Sequence, residues 1–310
     1  MPLLSIVVPS YNEEANIENT AKVLTEILEE NKIAYEILFV NDGSTDETYE
    51  KIEAQSKENP RIKGISFSRN FGKEASIFAG LEYAIGDAVV VMDCDLQHPA
   101  ELIPKMYNLW LEGYEVVEGI KSSRGKEGKF HRFCAGLFYD IMSKLIKMDM
   151  RSTSDYKLLD RKVVNVLVSL PERNTFFRAL SFWVGFKTVK VEYEVKERLY
   201  GSTKWSFASL IRYAINNATS FSTLPLQMVT MLGVISILFS IVLGIQTLIR
   251  YLTGNSLEGF PTVILLILLI GGFIMLSLGI IGHYLARIYE EVKGRPKYII
   301  RDTTENVRDK

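Results

Sequence analysis

Along the N-terminal part of the chain, short unbroken apolar runs alternate with longer stretches in which apolar residues recur every three or four positions. Leu3 to Val8 is a β-branched run closed by Pro9, which reads as a buried strand. Between Asn16 and Glu30 the spacing puts Ile17, Val23, Leu24, Ile27 and Leu28 on one helical face. Tyr35 to Val40 is a second strand, ended by the turn Asn41-Asp42-Gly43-Ser44, and residues 45–57 read as a helix. Lys63 to Ser68 is a third strand, residues 73–85 a further helix, and Ala88 to Met92 a fully apolar strand that runs into Asp93-Cys94-Asp95. Strands alternating with helices predict βαβ units and a parallel sheet, hence the α/β class. In such sheets ligands bind outside the carboxyl ends of the strands. The polar clusters fall at those ends: Pro9 to Glu14, Asn41 to Asp46, Arg69 to Lys73 and Asp93 to His98. The pattern predicts one shared site for a nucleotide or phosphate ligand.

The pattern then changes. Leu226 to Ile249 carries no charge, and Pro261 to Ala286 has no acidic or basic residue other than His283. About 20 apolar residues cross a bilayer as a helix, and the polar face of a globular core helix is missing from both runs. The short connection Arg250 to Phe260 makes them a hairpin. Arg212 precedes it and Arg287, Lys293, Arg295, Lys297 and Arg301 follow it, against Arg250 alone at the edge of the loop. The positive-inside rule puts both termini in the cytoplasm, at a cell membrane. The expected organisation is a soluble domain over 1–205, a juxtamembrane segment over 206–225, a transmembrane hairpin over 226–286 (spans 226–249 and 261–286) and a cytoplasmic tail over 287–310. Phe207 to Leu224 is moderately amphipathic and reads equally as a helix on the membrane surface or as a linker helix. The N-terminus MPLLSIVVPSYNEE lacks a basic n-region and reads as a first strand rather than a signal peptide.

Composition adds exclusions. The chain has 310 residues, enough for about two domains, and its 47% hydrophobic content averages over two unlike parts. A formal net charge of −1 gives no basic domain of the kind that binds nucleic acid. Cys94 and Cys134 form no CxxC or Cys/His spacing, so neither a zinc site nor a disulfide framework is expected.

Candidate chemistry sits in the polar clusters. If strand geometry continues past Met92, Asp93 and Asp95 point the same way, Cys94 points opposite, and Gln97 continues the side of the aspartates. Two carboxylates and an amide oxygen are hard ligands suited to Mg²⁺ or Mn²⁺; a solvated turn after a strand is the plainer reading. His98 suits the turn before Pro99. Asp42 can accept from a ribose or a base, or can serve an Asx-turn or helix cap; Asp46 is the better cap. Tyr11 can stack on a base and Glu13 can accept from its edge. Lys73, after Asn70-Phe71-Gly72, is a possible phosphate contact. The segment KSSRGKEGKFHR, residues 121–132, is strongly basic and suits a phosphate, or is a solvated loop.

The segments VVPSYNEE, VNDGSTD, SRNFGKEAS and MDCDLQHP, in this order, resemble family 2 glycosyltransferases, which have the nucleotide-diphospho-sugar transferase fold called GT-A. SDYKLLDR and ERLYGSTKW, followed by a membrane hairpin, resemble polyprenyl-phosphate glycosyltransferases of the GtrB type, with dolichyl-phosphate mannose synthases as near relatives. The resemblance covers essentially the whole chain. It implies transfer of a sugar, glucose from UDP-glucose before UDP-GlcNAc or other donors, onto undecaprenyl-type polyprenyl phosphate at the cytoplasmic membrane face. It implies nucleotide-sugar binding by Pro9, Tyr11, Glu13, Val40, Asp42 and the acidic motif Asp93-Cys94-Asp95. It also implies metal ligation by Asp95 with Gln97, alongside Asp93, and phosphate contacts from Arg198 and Lys204. Arg124 and Arg132, with Ser202, match the lipid-phosphate side, and relatives imply a homotetramer. Asp155 matches the proposed general base and with Asp93 makes up the catalytic pair. A phosphate monoester has a second pKa near 6, so the acceptor is already largely anionic and Asp155 reads either as base or as positioning group.

Two rivals are weaker. A processive polysaccharide synthase of the same fold would carry a QxxRW motif, which is absent. A non-catalytic nucleotide-sugar sensor would not need the complete acidic set. The topology is directly testable: a cysteine replacing Asn255 should react with an impermeant thiol reagent from outside the cell, and labelling only from the inside would overturn the orientation.

Overall fold

The computed structural model describes residues 2–121, 153–173, 175–194, 224–254 and 259–307. It forms two compact units, Met1–Ser206 with Arg295–Lys310, and Phe207–Gly294. The first unit is built on strands β1 (Leu3–Ser10), β2 (Ala34–Asn41), β3 (Ile62–Phe67), β4 (Ala88–Val91), β5 (Val116–Lys121), β6 (Lys157–Asp160), β7 (Thr188–Tyr193) and β8 (Ile300–Thr303). Its helices are α1 (Ile17–Glu30), α2 (Thr48–Glu58), α3 (Lys73–Tyr83), α4 (Ile103–Leu111), α5 (Arg161–Ser169) and α6 (Phe177–Trp183).

The strands make one sheet in the order β7-β5-β6-β4-β1-β2-β3-β8. The centre is parallel, as expected: β1 pairs with β2 and β4, and β2 with β3. The whole is mixed. β6 lies antiparallel between β4 and β5, and β8 lies antiparallel on the outer edge of β3. Both departures come from segments that return to the sheet after leaving it, which the alternation near the N-terminus does not encode.

Central strands are apolar on both faces because both are covered. Leu4, Ile6 and Val8 of β1, with Ile37 and Phe39 of β2, join α1 through Ile17, Ala21, Leu24 and Leu28 in one core. The alternate residues Leu38 and Val40 join Ile65, Phe67 and α3 through Ala75 and Ala79 in a second. In α1 the buried positions are Ile17, Thr20, Ala21, Leu24 and Leu28, while Val23 and Ile27 pack at the margin. A buried ion pair, Lys157 Nζ to Glu118 at 2.9 Å, ties β6 to β5, and Lys157 also donates to Ser181 of α6 at 2.9 Å.

The second unit holds α7 (Leu224–Leu252) and α8 (Phe260–Val292). Their segments Leu226–Arg250 and Leu266–Val292 are long and apolar enough to cross a membrane, with mean hydropathies of 2.5 and 2.3 and none of either buried. α8 therefore runs past Ala286, where the uncharged stretch stops, because charged Arg287, Glu290 and Glu291 do not interrupt helical geometry. Residues from Arg295 onward then belong to the first unit.

Gly80 of α3 marks the tightest helix-on-sheet contact: a Cβ there would lie 2.1 Å from Val7 Cγ1. Alanine would gain about 1 kcal/mol in helix propensity. It would lose ~1–3 kcal/mol to overpacking against a β-branched side chain that has no free rotamer to yield. Gly80→Ala should therefore destabilise the protein, read as a lower denaturation midpoint; a higher midpoint would show that the layer can give way.

Candidate active site

The carboxyl ends of β1, β2 and β4 and the start of α3 enclose a cleft of about 400 Å³. It is lined by Pro9, Ser10, Tyr11, Glu13, Asp42, Asn70, Gly72, Lys73, Ser76, Asp93, Cys94 and Asp95. The four polar clusters thus share one space. Val40, Gln97 and Asp155 do not line it, although Asp155 bonds to Lys73, which does. Val40 is fully buried in the second core, so only its backbone faces the strand end. Arg124, Arg132, Arg198, Ser202 and Lys204 lie outside the described residues, as does nearly all of the segment 206–225.

Two loops of the cleft are stitched by side chain to backbone bonds. Asn12, at φ 54, donates its amide to Ser44 Oγ at 2.9 Å, and its Oδ1 accepts from Thr45 N–H at 2.9 Å. The Glu13 amide donates to Thr48 Oγ1 at 2.9 Å, and the Glu47 amide to Glu14 Oε2 at 3.0 Å. Asp46 accepts from the Thr48 amide at 3.1 Å in an Asx-turn one residue before Glu47, which is the N-cap of α2 in place of the expected Asp46. Tyr11 remains exposed at the rim.

Asp42 clamps a third loop. Its carboxylate accepts from the Phe71 N–H at 2.6 Å and the Gly72 N–H at 2.9 Å. Burial raises its pKa, and those two amides and Arg69 pull against that rise. Gly43, at φ +64, lies so close to this loop that a Cβ would stand 2.3 Å from the backbone carbon of Arg69. Asp42 is therefore a brace for Asn70–Lys73 as well as a wall of the cleft.

β4 ends at Val91, so strand alternation does not extend through Asp95. Leu96 has φ 53, and the Gln97 amide donates to Asp95 Oδ1 at 3.1 Å. This tight turn breaks the extended geometry on which the placing of Gln97 beside the aspartates rests. Asp93 and Asp95 still both line the cleft, whereas the Cys94 thiol is buried against Thr20. Burial pushes that thiol up to about 12. His98 is structural: it stacks on Tyr156 at 5.0 Å, and its Nδ1 accepts from the Asp93 amide at 3.4 Å.

The charges form an alternating chain. Lys73 Nζ lies 2.5 Å from Asp93 Oδ1 and 3.0 Å from Asp155 Oδ2. Arg178 grips Asp155 with both prongs, Nε at 2.7 Å and Nη2 at 2.8 Å. Burial alone would raise the Asp155 carboxyl, but Lys73 and Arg178 override it and hold the group well below the ordinary carboxylate range. Enclosure would depress the Lys73 ammonium, but Asp93 and Asp155 outweigh it and raise its pKa. Nearby, burial and then the charge of Asp155 push Glu74 up to about 7, while its Oε2 accepts from the Phe177 amide at 2.9 Å. Burial and then Arg178 push the Lys121 ammonium down.

Arg178 and Glu74 were not among the sequence candidates. The signal for Arg178 was a single cation inside the apolar run TFFRALSFW, since an isolated charge in a buried stretch needs a partner. Ser76, whose buried hydroxyl has no hydrogen-bond partner in the structure, carries no sequence signal.

Among the described residues, no three of His, Cys, Asp and Glu converge into a metal cage. Asp93 and Asp95 offer oxygen ligands only. That set fits an ion such as Mg²⁺, which takes one or two carboxylates and completes its shell with waters and substrate phosphates.

Asp155 has a depressed folded pKa, so its stabilisation is present above the unfolded value of ~3.9 and is lost as pH falls through the folded value. Asp155→Asn should cost ~3–5 kcal/mol near pH 7, by leaving Lys73 and Arg178 short of a counter-charge. Its deficit against the unaltered protein should shrink in acid. Thermal unfolding as a function of pH checks this, and a deficit that does not change with pH would refute the assigned ion pairs.

The glycosyl transferase family 2 profile matches residues 5–165. An uncharacterized glycosyltransferase of Synechocystis sp. is 42% identical over 96% of this chain and 95% of its own length. A bactoprenol glucosyl transferase of Shigella flexneri, derived from prophage SfII, is 40% identical over 96% of this chain and 97% of its own. Among solved structures, glucosyl-3-phosphoglycerate synthase from Mycobacterium tuberculosis in complex with UDP superposes with a TM-score of 0.52. It shares 20% identity and covers 71% of this chain and 79% of that one, a likeness of fold. The acidic cleft at the strand ends, the GT-A sheet around it and relatives aligned over nearly the whole length place this enzyme in glycosyl transferase family 2.

Proposed function

We propose that the chain transfers a hexose, glucose from UDP-glucose in first place, to undecaprenyl-type polyprenyl phosphate at the cytoplasmic face of a membrane. The observation that carries this reading is the cleft in which Asp93, Asp95 and Lys73 meet the Asp42 and Tyr11 loops, on a chain that is 40% identical over 96% of its length to a bactoprenol glucosyl transferase. The two long apolar helices supply the membrane attachment such an acceptor requires. The tail and the catalytic unit share one sheet, so they stand on one side of that membrane, in keeping with both termini in the cytoplasm.

In this reading each residue has a distinct role. Tyr11 stacks on the base, and the stitched loops hold it at the rim. Asp93 and Asp95 would hold a divalent cation, Mg²⁺ or Mn²⁺, and the chemistry it would supply there is neutralisation of charge on a departing nucleoside diphosphate. Lys73 adds a second cation beside the same carboxylate. An oxygen of the lipid phosphate attacks the anomeric carbon, the bond from that carbon to the diphosphate oxygen breaks, and configuration inverts. The nucleophile is already anionic at neutral pH, so the chain needs orientation more than proton removal. Asp155 suits that demand. A carboxylate held below its ordinary pKa is a poor proton acceptor but a firm anchor, and it holds Lys73, which lines the cleft, together with Arg178. Arg124, Arg132, Arg198, Ser202 and Lys204 are the further phosphate contacts in this reading.

Purified full-length protein incubated with Mg²⁺, labelled nucleotide sugars and polyprenyl phosphate should yield a lipid-linked sugar. No product from any donor would sink the proposal. Asp95→Asn should lower transfer at least 100-fold, on the scale of a lost transition-state charge contact, with the protein still folded; full activity would refute its place beside the metal.

A further inference from the structure

Residues 296–307, a few positions after α8 ends at Val292, form a strap within the first unit. β8 pairs with β3, the strand that leads into the Asn70–Lys73 loop. The Ser68 amide donates to the Ile299 carbonyl at 3.0 Å, at the base of that loop. Further along, Asn306 donates to the carbonyls of Pro60 at 3.0 Å and Ile62 at 2.7 Å, and Thr304 accepts from the Gly64 amide at 2.9 Å. A strand that only shielded the edge of β3 would need no more than these bonds.

Tyr298 does something else. Its ring stacks on Phe67 at 4.9 Å and 13°, and Phe67 meets Phe71 edge-on at 5.8 Å. Its hydroxyl donates to Glu82 Oε2 at 2.6 Å, in the last turn of α3. Lys297 lies over the ring of Phe78 of α3 at 5.1 Å and donates to the Leu170 carbonyl at 3.1 Å. One tyrosine thus holds the last residue of β3, ahead of the loop, and the helix after it. Phe71 is also the residue whose amide is clamped by Asp42, and Lys73 follows two positions later.

We propose that Tyr298 is a positioning residue for the donor half of the cleft, and that the strap fixes Asn70–Lys73 by stacking on Phe67, which in turn packs edge-on against Phe71, and by bonding α3. The inference rests on the reading of this cleft as a nucleotide-sugar site. It ties the segment that directly follows the second membrane-length helix to the loop that presents Lys73.

Hydrogen exchange on the full-length protein tests the packing, and calorimetry with UDP and Mg²⁺ tests its consequence. Tyr298→Ala should speed exchange of the Phe71, Gly72 and Lys73 amides about tenfold, the scale of one lost aromatic pair, with β1, β2 and β4 still protected. UDP affinity and the donor KM should worsen by a similar factor while kcat changes less. Tyr298→Phe, which keeps the ring, should restore most of the protection. Arg301→Ala, on the exposed side of the same strand, should behave as the unaltered protein. A folded Tyr298→Ala protein with unchanged exchange at 71–73 would overturn the proposal, as would a loosened loop that binds UDP with undiminished affinity. Failure of the unaltered protein to bind UDP would count against the nucleotide-sugar reading instead, while the exchange rates still decide whether the strap holds the loop.

Discussion

Two acids and two bases share one enclosed corner of this molecule, and none could stay there alone. Removing a charge from water costs several kcal/mol unless a partner and good hydrogen bonds repay it. Here Asp155 receives both prongs of Arg178 and the ammonium of Lys73, and Lys73 in turn reaches Asp93. Asp93 follows β4, Lys73 opens α3, Asp155 precedes β6 and Arg178 lies in α6. Four separate stretches of chain must arrive together for any one of those charges to be satisfied. The site is thereby a condition of the fold in this region as well as its product.

Around that corner the remaining loops are held by backbone amides. Asp42 takes two amides from the loop before α3, and the loops after β1 and β2 exchange side chain to backbone bonds through Asn12, Glu13 and Glu14. A site held this way reaches a ligand already shaped, which lowers the ordering cost of binding and of the displacement that follows.

The central strands were legible because parallel strands covered on both faces are written as near-continuous apolar runs, as in Leu4 to Val8, broken only by Ser5, and Ala88 to Met92. The acidic cluster was legible because such strands present their loops to ligands at the carboxyl end. Other parts were written in contacts that no local pattern records. β8 is only IRDT, a polar tetrapeptide that becomes a strand because β3 offers an open edge. The antiparallel place of β6 depends on where the chain re-enters the sheet. The turn at Leu96, with its positive φ, and the core that the Val40 side chain enters are not recorded in any local pattern either. Arg178 became meaningful only once Asp155 stood opposite it.

The strand order carries a consequence for how the molecule is made. β8 is synthesised after both long helices, yet it occupies an edge of the catalytic sheet. While a ribosome is still producing the hairpin, β3 must wait with unpaired amides and carbonyls exposed, the kind of edge on which chains misassemble. Only after α8 has emerged can the same chain supply the strand that closes it. Biogenesis is therefore ordered by topology: the hairpin comes first, and the sheet is finished afterwards.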